Sequence, residues 1–290
     1  MAGTLVNVRI GVLGAGTMGA GIAQVTAQAG LETLLYDVSQ EFIDKGLGRI
    51  RGFLQRSRER GKLTTEREQQ ILARLSSSLK LEDFEGCSLI IEAVPEKLEL
   101  KRDVFKKLDA ICGPETLLAT NTSSFSVTAI AGAAQRPERV LGMHFFNPPP
   151  LMALVEVIQG DRTSSSTMDR ATSIVREMGK TPVRAKDTPG FIVNRIARPF
   201  YNEALRILGD GEVTVEIVDR IMKGAGGFPM GPFELMDLIG NDINFAATES
   251  LYQSFFHDPR FRPSPIQHRM VQAGNLGRKT GRGFYTYGEK

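Results

Sequence analysis

Tryptophan is absent from the 290 residues, cysteine occurs twice, histidine three times, and aromatic residues make up only 7% of the chain. The two cysteines, Cys87 and Cys112, have no CxxC spacing and no histidine beside them, so a disulfide scaffold is excluded and both read as packing residues in a reducing compartment. His144, His257 and His268 are scattered, which leaves no cluster with metal-ligand spacing, and no metal is expected. No apolar run approaches the ~20 residues that span a bilayer, so no membrane partner is expected. A net charge of +3 is too small to suggest nucleic acid. Because a strand is predicted to begin at Val8, no room is left for a presequence, and a cytoplasmic protein is expected.

What is present describes an ordinary globular chain, 24% charged and 41% hydrophobic, of a length that suggests two domains. Short β-rich runs at 8–13, 32–37, 87–93, 116–120 and 139–143 alternate with helical periodicity at 16–29, 40–60 and 97–110. That alternation predicts an α/β fold, a Rossmann-type doubly wound and mainly parallel sheet covered by helices. After Asp187-Thr188-Pro189-Gly190 convincing strands cease. A long apolar helix is predicted over 191–208, kinked or interrupted at Pro199, followed by helices at 214–224, 232–255 and 264–273. The expected domains are therefore 1–188 and an all-α domain over 189–290, whose apolar helix faces predict a homodimer formed through it.

Gly14-Ala15-Gly16-Thr17-Met18-Gly19 follows the first strand and opens the first helix, the position in which this spacing binds a dinucleotide pyrophosphate. Asp37, at the end of the second strand, either accepts from the ribose hydroxyls, which favours NAD over NADP, or begins the turn to the next helix. Between Lys45 and Lys62 seven basic residues face one acid, Glu59; the run is either a solvated helix face or a patch for a phosphorylated ligand.

His144 stands at the end of one strand, and twelve positions later Glu156 interrupts the apolar run Leu154-Val155-Glu156-Val157-Ile158. A carboxylate there needs a partner, and an imidazole held by it is an oriented general base; a histidine bonded only for packing is the alternative. Asn121-Thr122-Ser123-Ser124 leaves a strand at the same sheet edge, as a helix N-cap or as a hydroxyl donor for a reacting oxygen. Asn194, at the head of the long helix, is either a helix-to-helix hydrogen bond or a donor projecting into a cleft.

Through Gly14–Gly19, Asn121–Ser124, His144-Phe145-Phe146-Asn147-Pro148 with Leu154–Val157, Asp187–Arg195, Pro229–Glu234 and Lys279–Tyr285, the chain resembles the short-chain L-3-hydroxyacyl-CoA dehydrogenase family from Val8 to Tyr287. The resemblance implies NAD as cofactor and an acyl-CoA substrate, with His144 as base, Glu156 as its orienting partner, and Ser123 and Asn194 on the substrate oxygen. It also implies that Glu96, Lys101, Ser123, Asn147 and Lys279 contact the cofactor, and that Arg56 and Arg60 meet coenzyme A phosphates. Related dehydrogenases of free hydroxy acids carry a lysine on the long helix where Asn194 stands here, which favours the thioester. A catalytically silent crystallin-like relative would have little use for Ser123, His144, Glu156 and Asn194 together.

Overall fold

A computed structural model describes residues 8–288. The chain divides into two compact units, Met1–Thr188 and Pro189–Lys290. The first contains β1 (Arg9–Leu13), α1 (Thr17–Gln28), β2 (Glu32–Tyr36), α2 (Gln40–Glu59), α3 (Thr65–Ala73), β3 (Leu75–Ser78), β4 (Leu89–Glu92), α4 (Leu98–Ile111), β5 (Leu117–Thr120), α5 (Val127–Ala131), β6 (Val140–Phe145), β7 (Leu154–Gln159), α6 (Ser165–Glu177) and β8 (Thr181–Lys186). The strands form one sheet in the order β3-β2-β1-β4-β5-β6-β7-β8. Every neighbouring pair is parallel except β6 with β7. This is the doubly wound arrangement that the alternation predicts.

Strand periodicity divides the core between the two faces. Ile10, Val12, Leu89, Ile91, Leu141 and Met143 pack with residues of α1, α2 and α6 on one face. Leu13, Ile90, Leu118 and Val140 pack with Phe105 and Leu108 of α4 and Ile130 of α5 on the other. Each such side chain contributes about 1.5–3 kcal/mol by leaving water. Cys87 and Cys112 are buried, unbridged members of the second cluster, and burial pushes each thiol up to about 11.

The second unit contains α7 (Val193–Asp210), α8 (Val215–Gly224), α9 (Pro232–Ile239), α10 (Asn241–Ser254) and α11 (Pro265–Gln272). Among its described residues there is no strand, only isolated bridges at Gly277, Arg282 and Thr286. Helix α7 runs through Pro199, which costs it one backbone donor but does not end it. The single helix expected over 232–255 is two helices: Gly240 at φ 103 breaks the ladder, a conformation that side chains with a Cβ rarely adopt.

Two carboxylates explain motifs to which the sequence assigned no physical role. Asp219 accepts from the backbone N–H groups of Phe233 and Glu234 and from the Tyr285 hydroxyl, so it caps the start of α9. Asp237 accepts from the N–H groups of Phe284 and Tyr285 and from the Tyr287 hydroxyl, which fastens the C-terminal segment to that helix.

Candidate active site

In a parallel sheet the carboxyl ends of the strands share one edge, and the candidate side chains of the first unit gather there. Gly14, at φ 104, makes the turn after β1, and its N–H donates to the Tyr36 carbonyl. A Cβ on Gly19 would lie 1.7 Å from the Gly14 carbonyl oxygen, so this position admits only glycine. Around Gly16 nothing lies within 4 Å of where a Cβ would stand, and α1 begins with no side-chain cap. Exposed backbone donors at a helix start, with room in front of them, fit a dinucleotide pyrophosphate.

The Asp37 carboxylate accepts from the N–H groups of Ala15 and Val38, both at 2.7 Å. It therefore sits against the glycine-rich loop, while the cap of the next helix is supplied by Ser39. Thr17, Arg49, Arg56 and Asn147 line one cleft of about 210 Å³, so two residues expected on different ligands, Arg56 and Asn147, come together. Arg60 is the exposed C-terminal cap of α2. Arg49, part of the basic run but not singled out from it, donates to the Ala15 carbonyl at 3.2 Å.

Glu96 organises the loop after β5. Its carboxylate accepts from the hydroxyls of Thr122 and Ser124 and from the N–H groups of Ser123 and Ser124. Burial would raise its carboxyl, but the Lys101 ammonium at 3.1 Å and the two hydroxyls outweigh this and hold it below the usual glutamate range. Lys101 is only 1% exposed and also pairs with the fully buried Glu92 at 2.8 Å. Glu92 in turn accepts from the Thr120 hydroxyl and the Val94 N–H. Sequence reasoning missed Glu92; a carboxylate ending the apolar run Leu89-Ile90-Ile91 was the available signal.

The N-cap alternative for residues 121–124 falls, because Ser126 caps α5. Asn121 instead accepts the Phe145 N–H at 2.9 Å, joining this loop to the end of β6. Ser123 is exposed, and its hydroxyl makes no hydrogen bond among the described residues.

His144 and Glu156 are direct cross-strand partners in the antiparallel pairing of β6 with β7. The sheet register thus places them face to face, and His144 Nδ1 lies 2.7 Å from Glu156 Oε2. Both are buried, at 6% and 0% exposure, and the Phe146 ring leans against the imidazole with centroids 4.5 Å apart. In the second unit Asn194 occupies the first turn of α7, and Lys279 pairs with the Asp242 carboxylate at 2.6 and 2.7 Å.

Residues 9–188 match the family described as 3-hydroxyacyl-CoA dehydrogenase, NAD binding domain, and residues 190–287 match its C-terminal domain. A probable 3-hydroxybutyryl-CoA dehydrogenase of Deinococcus radiodurans is 47% identical over 279 residues, covering 96% of this chain and 100% of the relative. The 3-hydroxyadipyl-CoA dehydrogenase of Escherichia coli is 46% identical over 98% of this chain, which spans only 60% of that longer protein. A solved (S)-3-hydroxybutyryl-CoA dehydrogenase from Ralstonia eutropha superimposes with a TM-score of 0.93 at 42% identity, covering 98% of this chain and 100% of that one. With both domains matched and relatives aligned along nearly its whole length, the chain belongs to the 3-hydroxyacyl-CoA dehydrogenase family.

Proposed function

We propose that the protein is an NAD-dependent oxidoreductase that interconverts (S)-3-hydroxyacyl-CoA and 3-ketoacyl-CoA, with His144 as the general base. The observation that carries this reading is the buried 2.7 Å contact between His144 Nδ1 and Glu156 at the sheet edge where the glycine-rich loop also ends. Bound NAD supplies the hydride acceptor. Glu156 holds the proton on Nδ1, which makes Nε2 the nitrogen that takes the proton of the 3-hydroxyl, and the carboxylate then stabilises the imidazolium.

The Ser123 hydroxyl donates to the substrate oxygen as charge develops on it, and Asn194 supplies a second donor, an effect worth roughly 3 kcal/mol per donor in other enzymes. Glu96 positions Ser123 through its backbone N–H, and Lys101 holds Glu96 in place. Asp37, Asn147 and Lys279 serve the cofactor in this reading, and Arg56 with Arg60 meets the phosphates of coenzyme A. Relatives are named for both methyl-ended and carboxylate-ended acyl groups, 3-hydroxybutyryl and 3-hydroxyadipyl. The protein is further read as a cytoplasmic homodimer, to which Ile196, Ile221 and Ile243, each more than half exposed, contribute the apolar surface of the second unit. Light scattering should give about twice the mass of one chain, and a monomer would refute that part.

The test of the activity is NADH oxidation with acetoacetyl-CoA and with free acetoacetate, side by side. Turnover of the thioester and little of the free acid is expected. Activity on the free acid alone overturns the substrate assignment, and no turnover of any 3-ketoacyl-CoA overturns the function.

A further inference from the structure

Lys101, 1% exposed on α4, stands between two carboxylates, Glu92 Oε1 at 2.8 Å and Glu96 Oε2 at 3.1 Å. Neither carboxylate pairs with another cation among the described residues, so one ammonium faces two carboxylates and one negative charge is left over. Glu96 alone would neutralise Lys101. The surplus comes from Glu92, which is fully buried and also accepts from the Thr120 hydroxyl and the Val94 N–H, each at 2.7 Å. Burying a second ion adds a desolvation cost that a glutamine of the same shape avoids. The hydrogen bonds do not need the charge: Lys101 and the Val94 N–H share Oε1, and an amide nitrogen in place of Oε2 could donate to the Thr120 hydroxyl.

The position of Glu92 shows what the charge can act on. It ends β4, in register with Leu13, the residue before the glycine-rich loop, and with Thr120, the residue before Asn121–Ser124. The strand order reverses between β1 and β4, the crevice across which a sheet of this kind binds a dinucleotide. Asp37, beyond β2, serves the adenosine half, so the nicotinamide half belongs to the side of β4 and β5. Only the oxidised form of the cofactor has a cationic ring there. In the proposed reaction C3 gives its hydride to that ring, whose positive charge is thereby lost, and His144 takes the hydroxyl proton to become the imidazolium beside Glu156. The positive charge passes from the neighbourhood of Glu92 to that of Glu156.

We propose that Glu92 sets the redox preference of the cofactor site: by drawing the Lys101 charge to itself it leaves Glu96 negative toward the ligand, which favours NAD+ over NADH. The inference rests on the reading above in which NAD is bound with its nicotinamide beside Glu96. Glu92 takes the nearer share of the ammonium, 2.8 Å against 3.1 Å, and so keeps Lys101 from cancelling Glu96. A site that holds NAD+ more tightly than NADH shifts the equilibrium between bound reactants toward NAD+ and the hydroxyacyl thioester, the direction of ketoacyl reduction.

The test is calorimetric titration of the full chain with NAD+, NADH and benzamide adenine dinucleotide, in which an uncharged ring replaces the nicotinamide cation. The unaltered protein should bind NAD+ roughly tenfold more tightly than the uncharged analogue, the order of effect of one unit charge acting across a partly hydrated site. Glu92→Gln keeps the shape and the hydrogen bonds; it should weaken NAD+ roughly tenfold and leave NADH and the analogue nearly unchanged. A purely structural role would weaken all three alike. Equal affinity of the unaltered protein for NAD+ and the analogue overturns the proposal whether or not the variant folds, and so does a folded Glu92→Gln in which the ratio of NAD+ to NADH affinity has not moved. Binding of all three with these ratios flat refutes this inference and leaves the NAD reading intact; binding of none refutes both.

Discussion

The two units neutralise their buried charges in different ways. In the first, buried ions of opposite sign meet directly, Lys101 with Glu92 and Arg139 with Asp109, and the buried Glu156 carboxylate meets the His144 imidazole. In the second, the buried carboxylates Asp219 and Asp237 are held by backbone N–H groups and tyrosine hydroxyls, and the buried cation Arg198, which meets no carboxylate among the described residues, donates to the Asn244 carbonyl and the Thr248 hydroxyl. A buried cation held only by neutral acceptors keeps more of its desolvation cost.

The largest effect is expected at the pair that we assign to chemistry. His144→Gln should lower turnover by about 10⁴-fold, at the upper end of what a positioned base contributes, and leave NAD affinity nearly unchanged in fluorescence titration. Turnover within tenfold of normal would remove His144 from the mechanism. Glu156→Gln keeps the shape but loses the charge that fixes the tautomer; a loss of roughly 10³-fold in kcat is expected in steady-state assays.

Stability should follow the same division. Lys101→Met leaves Glu92 buried without its cation and should cost about 3–5 kcal/mol by urea denaturation. Asp237→Asn replaces a carboxylate that is held by dipoles and should cost less, about 1–3 kcal/mol, because one backbone N–H, of Phe284 or Tyr285, loses its acceptor and no buried ion is stranded. Equal losses in the two variants would mean that the units do not differ as described.

Much of the site was legible because strand geometry turns spacing into contact. Glu156 could be paired with His144 from sequence, since a charged residue inside an apolar strand requires a partner and the adjoining strand offered one. The glycine-rich loop was legible because its strand-to-helix position fixes its chemistry. The edge strands were not: Leu75-Ser76-Ser77-Ser78 has too little apolar character to signal a strand, and β8 carries Pro182, which edge strands tolerate. Helices α3 and α6 were missed because their exposed faces are polar enough to read as loop.

Long-range contacts made by polar atoms were the least visible. Nothing local tells that Asn121 will accept the Phe145 N–H, or that Glu96 will gather four donors from residues 122–124. Arg198 lay in plain view in the apolar stretch Ile192–Tyr201. That it is buried against the Asn244 carbonyl and the Thr248 hydroxyl, with no carboxylate beside it among the described residues, only the folded chain reveals.

Whether Glu156 makes His144 a base at Nε2 is read from ¹⁵N NMR of the labelled imidazole. Neutral His144 should carry its proton on Nδ1, with the Nε2 resonance in the unprotonated range, and Glu156→Gln should abolish this preference. A proton resident on Nε2 in the unaltered protein would contradict it.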